Sequence, residues 1–296
     1  MDLLSIDSLT GDQISTILDR GEYWFEENRA GRASDALKGR IIFNLFYENS
    51  TRTAMSFATA THRLGAAAIA LSVEHSSVKK GETLEDTART LNAMRPDGLV
   101  IRHRENGAPV AVAQIMETPV INAGDGTNEH PTQALLDAAT MLHHFKRIEG
   151  LTVAICGDIK HSRVARSNAR LLPRLGAQVR LAGPPELMPE GSPALSLDEA
   201  IDGADVVMML RVQRERLQEE FGDAPGEFLQ RYGLTEERLA RAAPTAVVMH
   251  PGPMNRGVEI DPLVADDPQR SLITLQVEMG VAVRMACLEL LVGSSD

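Results

Sequence analysis

Short apolar, β-branched runs alternate along this chain with segments of helical spacing, and that alternation restricts the fold to α/β layers built on parallel sheets. The run Ile41-Ile42-Phe43-Asn44-Leu45 is followed by Met55, Phe57, Ala58, Thr61 and Leu64, the spacing of an apolar helix face. The local reading is strand, turn, helix. Further strands are predicted over 68–73, 98–102 and 119–122, and helices over 14–27, 84–94, 110–116 and 132–145, with a polar loop over 75–82 and a Gly-Asp-Gly-Thr loop after residue 122. The pattern then restarts. A strand over 152–156, a loop over 157–162, a helix over 163–175 and a strand over 178–181 form a βαβ unit. Apolar runs over 204–210 and 246–249 and a long apolar helix over 275–291 follow.

With 296 residues, 43% of them hydrophobic, the chain can bury two cores, so two domains are expected. No Gly/Ser linker, low-complexity tract or repeat marks the junction. The formal net charge of −11 argues against nucleic-acid or anionic-membrane binding. Yet Arg52, Lys79, Lys80, Arg102, Arg104, Arg163 and Arg211 fall in predicted loops or at strand ends, as expected of an acidic protein that focuses its cations on small anions. Cys156 and Cys287 lie in apolar segments without metal-ligand spacing and read as buried free thiols. No basic n-region precedes Leu3-Leu4, and no apolar run is long enough to span a bilayer; a cytoplasmic location is expected.

The turn after the first run is Ser50-Thr51-Arg52-Thr53, three hydroxyls and a guanidinium in succession. A helix N-terminus offers unpaired N–H groups and positive dipole density, hydroxyls add neutral donors, and Arg adds a fork matched to phosphate oxygens. A plain N-cap cluster is the alternative, but a cap needs one such residue and no Arg. The P-loop glycine and lysine spacing is absent.

In open α/β sheets ligands sit beyond the carboxyl ends of strands. Arg52, Arg102, Arg163, Arg211 and His250 all fall there by this reading. His130-Pro131-Thr132-Gln133 opens the strongest helix; an imidazole near the positive end of a helix is held neutral and can donate to a carbonyl oxygen. Gly157-Asp158-Ile159-Lys160-His161-Ser162-Arg163 stands where a dinucleotide fold carries Gly-x-Gly-x-x-Gly. Its glycines are missing and cations replace them, which points to a small anion.

Taken in order, Ser50-Thr51-Arg52-Thr53, Lys79-Lys80-Gly81-Glu82-Thr83, His130-Pro131-Thr132-Gln133, Gly157-Asp158-Ile159-Lys160, Arg211-Val212-Gln213-Arg214-Glu215-Arg216 and His250-Pro251-Gly252-Pro253 resemble the catalytic subunits of the aspartate carbamoyltransferase family, over essentially the whole chain. The Arg-Val-Gln segment points to aspartate; an ornithine-type enzyme is expected to show His-Cys-Leu-Pro instead.

The resemblance implies two doubly wound parallel-sheet domains joined by interdomain helices. Residues 1–131 are expected to bind carbamoyl phosphate, with the C-terminal helix over 278–296 packing back on them, and residues 132–277 to bind aspartate. It implies that Ser50, Thr51, Arg52 and Thr53 grip phosphate together with Arg102. Thr53, Arg102 and His130 would polarise the carbamoyl oxygen, with Arg52, Thr53, Arg102 and His130 as the catalytic set. Gln133 and the backbone carbonyls near Pro251 and Gly252 would hold the carbamoyl nitrogen. Arg163, Arg211 and Gln213, with Lys80, would bind the aspartate carboxylates. Lys80 and Ser76 (or Ser77) would enter from the neighbouring subunit of a homotrimer with shared active sites. No metal, redox cofactor or covalent intermediate is implied, and the pathway is de novo pyrimidine (UMP) biosynthesis. Regulatory chains or a dihydroorotase are further candidate partners.

Two departures stand out. Ala54 and Ala58 replace the Arg and Glu common in Ser-Thr-Arg-Thr-Arg-x-Ser-Phe-Glu, so an i,i+4 ion pair is lost as a unit at modest expected cost to stability. Gly252 stands where Leu is frequent. Rival readings are a carbamoyltransferase for ornithine or a similar amine, a non-catalytic scaffold homologue, and a dinucleotide oxidoreductase.

Overall fold

The computed structural model describes residues 1–72, 81–192, 195–212 and 225–293. It divides into two compact units, residues 1–139 with 278–296, and residues 140–277. Each is an α/β unit around a four-stranded, all-parallel sheet.

In the first unit, α1 (Gly11–Arg29) leads to β1 (Ile41–Phe46), α2 (Thr51–Arg63), β2 (Ala67–Ser72), α3 (Leu84–Ala93), β3 (Gly98–His103), α4 (Ala108–Ala113), β4 (Val120–Asp125) and the start of α5 (Pro131–Phe145). The strand order is β2-β1-β3-β4. β3 is buried at every position but Arg102, as expected of a central strand covered on both faces; β4, at the sheet edge, is buried throughout, with Leu3 bonded along its outer side. Leu45, Leu91, Leu99, Ile101, Val112 and Val120 lie in one core.

α1 starts with a capping box between Thr10 and Gln13, which satisfies two of the orphan donors at its end. Its Arg20 and Trp24 both bond Glu289, the guanidinium at 2.9 and 2.7 Å and the indole at 2.9 Å. A Cβ on Gly21 would stand 3.0 Å from Val283, so glycine allows the close approach of α1 to the C-terminal helix, α11 (Ile273–Val292).

The second unit runs β5 (Thr152–Cys156), α6 (Arg163–Arg174), β6 (Gln178–Ala182), a 3₁₀ turn at Pro185–Leu187, α7 (Leu197–Ile201), β7 (Val206–Met209), α8 (Pro225–Tyr232), α9 (Glu236–Leu239), β8 (Val247–Met249) and α10 (Pro262–Ala265). Its strand order is β6-β5-β7-β8. Ala154, Cys156, Val207, Met209, Leu234 and Ile260 are part of its core. The division between units falls inside α5 and α11. Among the described residues no helix is long and apolar enough to cross a membrane.

The predicted strands and long helices are present, with shifts at their ends. The predicted loop at Gly124-Asp125-Gly126-Thr127 begins later, because β4 continues through Asp125. Asp125 stays in the sheet, opposite His103, since its carboxylate is fully used inside the protein. It accepts from Asn122, Asn128 and the Glu129 and Gly107 amides at 2.8–3.1 Å. The helix predicted over 110–116 starts earlier, at Ala108, with Pro109 in its first turn and Gly107 at φ +82° before it, conditions that open a helix. Helix α8 has no counterpart in the sequence reading, and neither do the short helices α7, α9 and α10. Their caps, Ser196, Thr235 and Asp261, are the signals that mark them.

Candidate active site

A strand order of 2-1-3-4 reverses direction between β1 and β3, and such a reversal opens a crevice at the carboxyl ends of the two strands. At this point Phe46 pairs with Arg102 in register, and the Tyr47 amide donates to the Arg102 carbonyl at 2.9 Å. Ser50 to Thr53 therefore emerge beside Arg102. Thr51 is the first residue of α2 and Ser50 its cap, yet the Ser50 hydroxyl makes no cap hydrogen bond. Thr10, Thr83, Ser162, Ser196, Thr235 and Asp261 all do cap their helices. The hydroxyl and the first-turn N–H groups of α2 are thus not spent on each other, unlike those of the capped helices. Arg52 and Thr51 are exposed and Thr53 is buried.

Arg102 is held in place. Its Nε donates to Glu48 at 3.0 Å and its Nη1 to the Ala123 carbonyl at 3.4 Å. His130, 4% exposed, ends the loop after β4, and its carbonyl accepts from the Gln133 and Ala134 amides at the start of α5. The Asp125 hydrogen bonds fix that loop, as does Glu129, which accepts from the Ile6 amide at 3.0 Å. Gln133 donates through Nε2 to buried Asp137 at 2.9 Å, which directs its carbonyl oxygen away from Asp137. Behind α2, Arg284 of α11 donates to Ser56 at 2.8 Å and lies over Phe57; burial pushes its pKa down to about 10. Ala54 and Ala58 are half-buried in the same helix.

The second sheet repeats the geometry between β5 and β7. Past β5, Asp158 accepts from the His161 amide at 3.1 Å and stands 2.9 Å from its Nδ1. Ser162 caps α6, and half-buried Arg163 is its first residue. Past β7 comes exposed Arg211, and past β8 half-buried Pro251 and Gly252. Sequence-predicted residues thus gather on two carboxyl edges: Ser50 to Thr53, Arg102, His130 and Gln133 on the first, and Arg163, Arg211, Pro251 and Gly252 on the second. Ser76, Lys80 and Gln213 lie outside the described residues.

Glu48, Asp125, Asp137 and Glu259 are missed by the sequence reading. For Glu48, Asp125 and Asp137 the available signal is a carboxylate beside or inside a motif, or one helical turn beyond it; Glu259, nine residues after His250, gives none.

The sequence profile for the carbamoyl-P binding domain of aspartate/ornithine carbamoyltransferases matches residues 1–143, and that for the Asp/Orn binding domain matches residues 149–291. The chain belongs to the aspartate/ornithine carbamoyltransferase family. Within it, the chain is 57% identical to the aspartate carbamoyltransferase catalytic subunit of Granulibacter bethesdensis, over 98% of this chain and 94% of that one. Aspartate transcarbamoylase from Trypanosoma cruzi, solved in complex with N-(phosphonacetyl)-L-aspartic acid, superimposes with a TM-score of 0.86 at 31% identity, covering 97% and 94% of the two chains. Ornithine carbamoyltransferase from Pyrococcus furiosus gives 0.88 at 28% identity, covering 100% and 98%. Backbone likeness therefore does not separate aspartate from ornithine enzymes in this family; the side chains on the second edge must.

Proposed function

We propose that the chain transfers the carbamoyl group of carbamoyl phosphate to the amine of L-aspartate, giving N-carbamoyl-L-aspartate and phosphate. The observation that carries this reading is the unspent Ser50 cap at the start of α2, in a turn that also supplies Thr51, Arg52 and Thr53. Ser50 to Thr53 and Arg102 bind the phosphate, and Ser76 and Lys80 add to that grip from the neighbouring subunit of a homotrimer. Thr53, Arg102 and His130 donate to the carbamoyl oxygen as negative charge develops on it. The carbamoyl NH₂ is a donor and requires acceptors. The Gln133 carbonyl oxygen, left free of Asp137 because Nε2 makes that bond, and the carbonyls of Pro251 and Gly252 supply them.

Arg163, Arg211, Gln213 and Lys80 hold the two aspartate carboxylates, a task for which guanidinium forks suit better than point charges. The neutral amine attacks the carbamoyl carbon, the C–O bond to phosphate breaks, and the departing phosphate takes the amine proton. Orientation of two anions and charge stabilisation supply the rate. The step belongs to pyrimidine biosynthesis in the cytoplasm.

A cationic second edge repels the side-chain ammonium of ornithine, which is why aspartate is preferred. The test is product formation from carbamoyl phosphate with aspartate and ornithine offered in parallel, with N-(phosphonacetyl)-L-aspartic acid as inhibitor. Turnover with aspartate alone is expected, and Arg52→Ala and His130→Ala should lose most of it while staying folded. Turnover with ornithine would refute the aspartate half. Wild-type turnover in both variants would refute the site.

A further inference from the structure

His250 and Glu259 form a buried polar pair that the reaction as described does not use. Both side chains are fully buried, and His250 Nε2 lies 3.3 Å from Glu259 Oε1. The Gly252 amide donates to His250 Nδ1 at 2.8 Å, so Nδ1 carries the lone pair and the ring proton sits on Nε2, facing the carboxylate. The His250 amide is itself tied to Gln276 at 2.8 Å. Glu259 Oε1 also accepts from the Asn255 amide, and the Asn255 side chain donates to the Val212 carbonyl at 2.8 Å. Val212 follows Arg211 directly and packs in the small core of Leu187, Phe228 and Val258.

We propose that His250, Glu259 and Asn255 are positioning residues: a brace that sets the direction of the Pro251 and Gly252 carbonyls and couples that loop to the backbone beside Arg211. The proposal rests on the functional reading above. A buried polar pair adds little net stability, because desolvation offsets what its contacts return. Its effect is on conformation. The Gly252 amide and the Pro251 carbonyl belong to one rigid peptide plane, so the acceptor at Nδ1 dictates where that carbonyl points. Fixing Asn255 on the same carboxylate then ties the loop that receives the carbamoyl nitrogen to the loop that receives aspartate.

The experiment compares His250→Leu with His250→Asn. The two side chains have the same shape, but only Asn keeps an acceptor at the Nδ1 position. Binding of carbamoyl phosphate and of inorganic phosphate is measured by calorimetry on the full chain. Phosphate alone has no carbamoyl nitrogen for the Pro251 and Gly252 carbonyls to receive, so it serves as the internal control that a general structural defect would also disturb. His250→Leu should weaken carbamoyl phosphate about tenfold, the loss of one buried hydrogen bond, and leave inorganic phosphate unchanged. His250→Asn should recover most of the difference. Asn255→Ala, at a half-buried position, should raise the aspartate KM with the carbamoyl-phosphate KM unchanged, and it tests the coupling if His250→Leu does not fold. Equal weakening of both ligands by His250→Leu, or no rescue by Asn, would overturn the brace. So would an Asn255→Ala enzyme with wild-type constants. Wild-type protein that binds neither ligand would instead sink the functional reading on which the brace rests.

Discussion

Gly157 follows β5 directly with φ +125°, and a Cβ placed on it would stand 2.7 Å from the Leu210 carbonyl oxygen and 3.3 Å from Leu210 Cβ. Leu210 is bonded in turn to β5, its amide donating to the Cys156 carbonyl at 2.8 Å. Neither side of the contact can give without parting β5 from β7. For Gly157→Ala, the backbone conformation costs an L-residue roughly 1–3 kcal/mol, and the overpacked methyl adds about 1–3 kcal/mol. The stiffer unfolded chain returns only about 0.4–1 kcal/mol. The expected net loss is about 1–5.5 kcal/mol, centred on about 3.

Gly203 provides the control. It has φ +65°, and a Cβ placed on it would meet nothing within 4 Å, so Gly203→Ala carries the dihedral cost alone, about 1 kcal/mol after the unfolded-state gain. Denaturant unfolding followed by far-UV circular dichroism measures both. The loop over 158–162 and Arg211 flank the contact, so the aspartate KM of Gly157→Ala should rise as well. If Gly157→Ala costs no more than Gly203→Ala, steric closure of the second crevice is not what this glycine provides.

Gly252 also has a left-handed backbone, at φ +69°, so Gly252→Leu should lower stability by about 1–2 kcal/mol, read from the shift in denaturation midpoint. His103 is buried, and burial lowers its pKa from the ordinary 6.5. Below that value the unfolded chain binds a proton that the native ring refuses, so stability falls as pH drops from 6.5 toward the lowered native value, by at most about 1.4 kcal/mol per pH unit. His103→Asn keeps an acceptor for the Glu105 amide and should flatten that part of the stability–pH curve. Lys80→Ala chains mixed with Arg52→Ala chains should regain partial activity in hybrid trimers; no recovery after verified subunit exchange would argue against shared sites.

The strand-turn-helix at residues 41–64 is legible from the sequence because its causes are local. Alternation sets the elements, and a run of hydroxyls with Arg at a helix start sets the chemistry. The same holds for His130 and Gln133 at the head of α5. The side chains that hold the site's loops and cations in place are not legible. Glu48 reaches Arg102 across 54 positions, Glu129 takes the Ile6 amide across 123, and Gln276 meets the His250 amide across 26. No periodicity encodes such pairings.

Sequence by itself determined the strands, the long helices and their order, and where side chains suited to anions fall, since propensity, apolar spacing and side-chain type act over a few neighbouring residues. Only the tertiary structure decided that each sheet reverses its winding between its first and third strands in chain order, because pairing joins backbones far apart in the chain. That reversal gathers Arg102 with the Ser50 turn on one edge and Arg163 with Arg211 on the other. It also left the Ser50 hydroxyl unused by its own helix, a geometric fact that the same Ser-Thr-Arg-Thr letters could not distinguish from a cap.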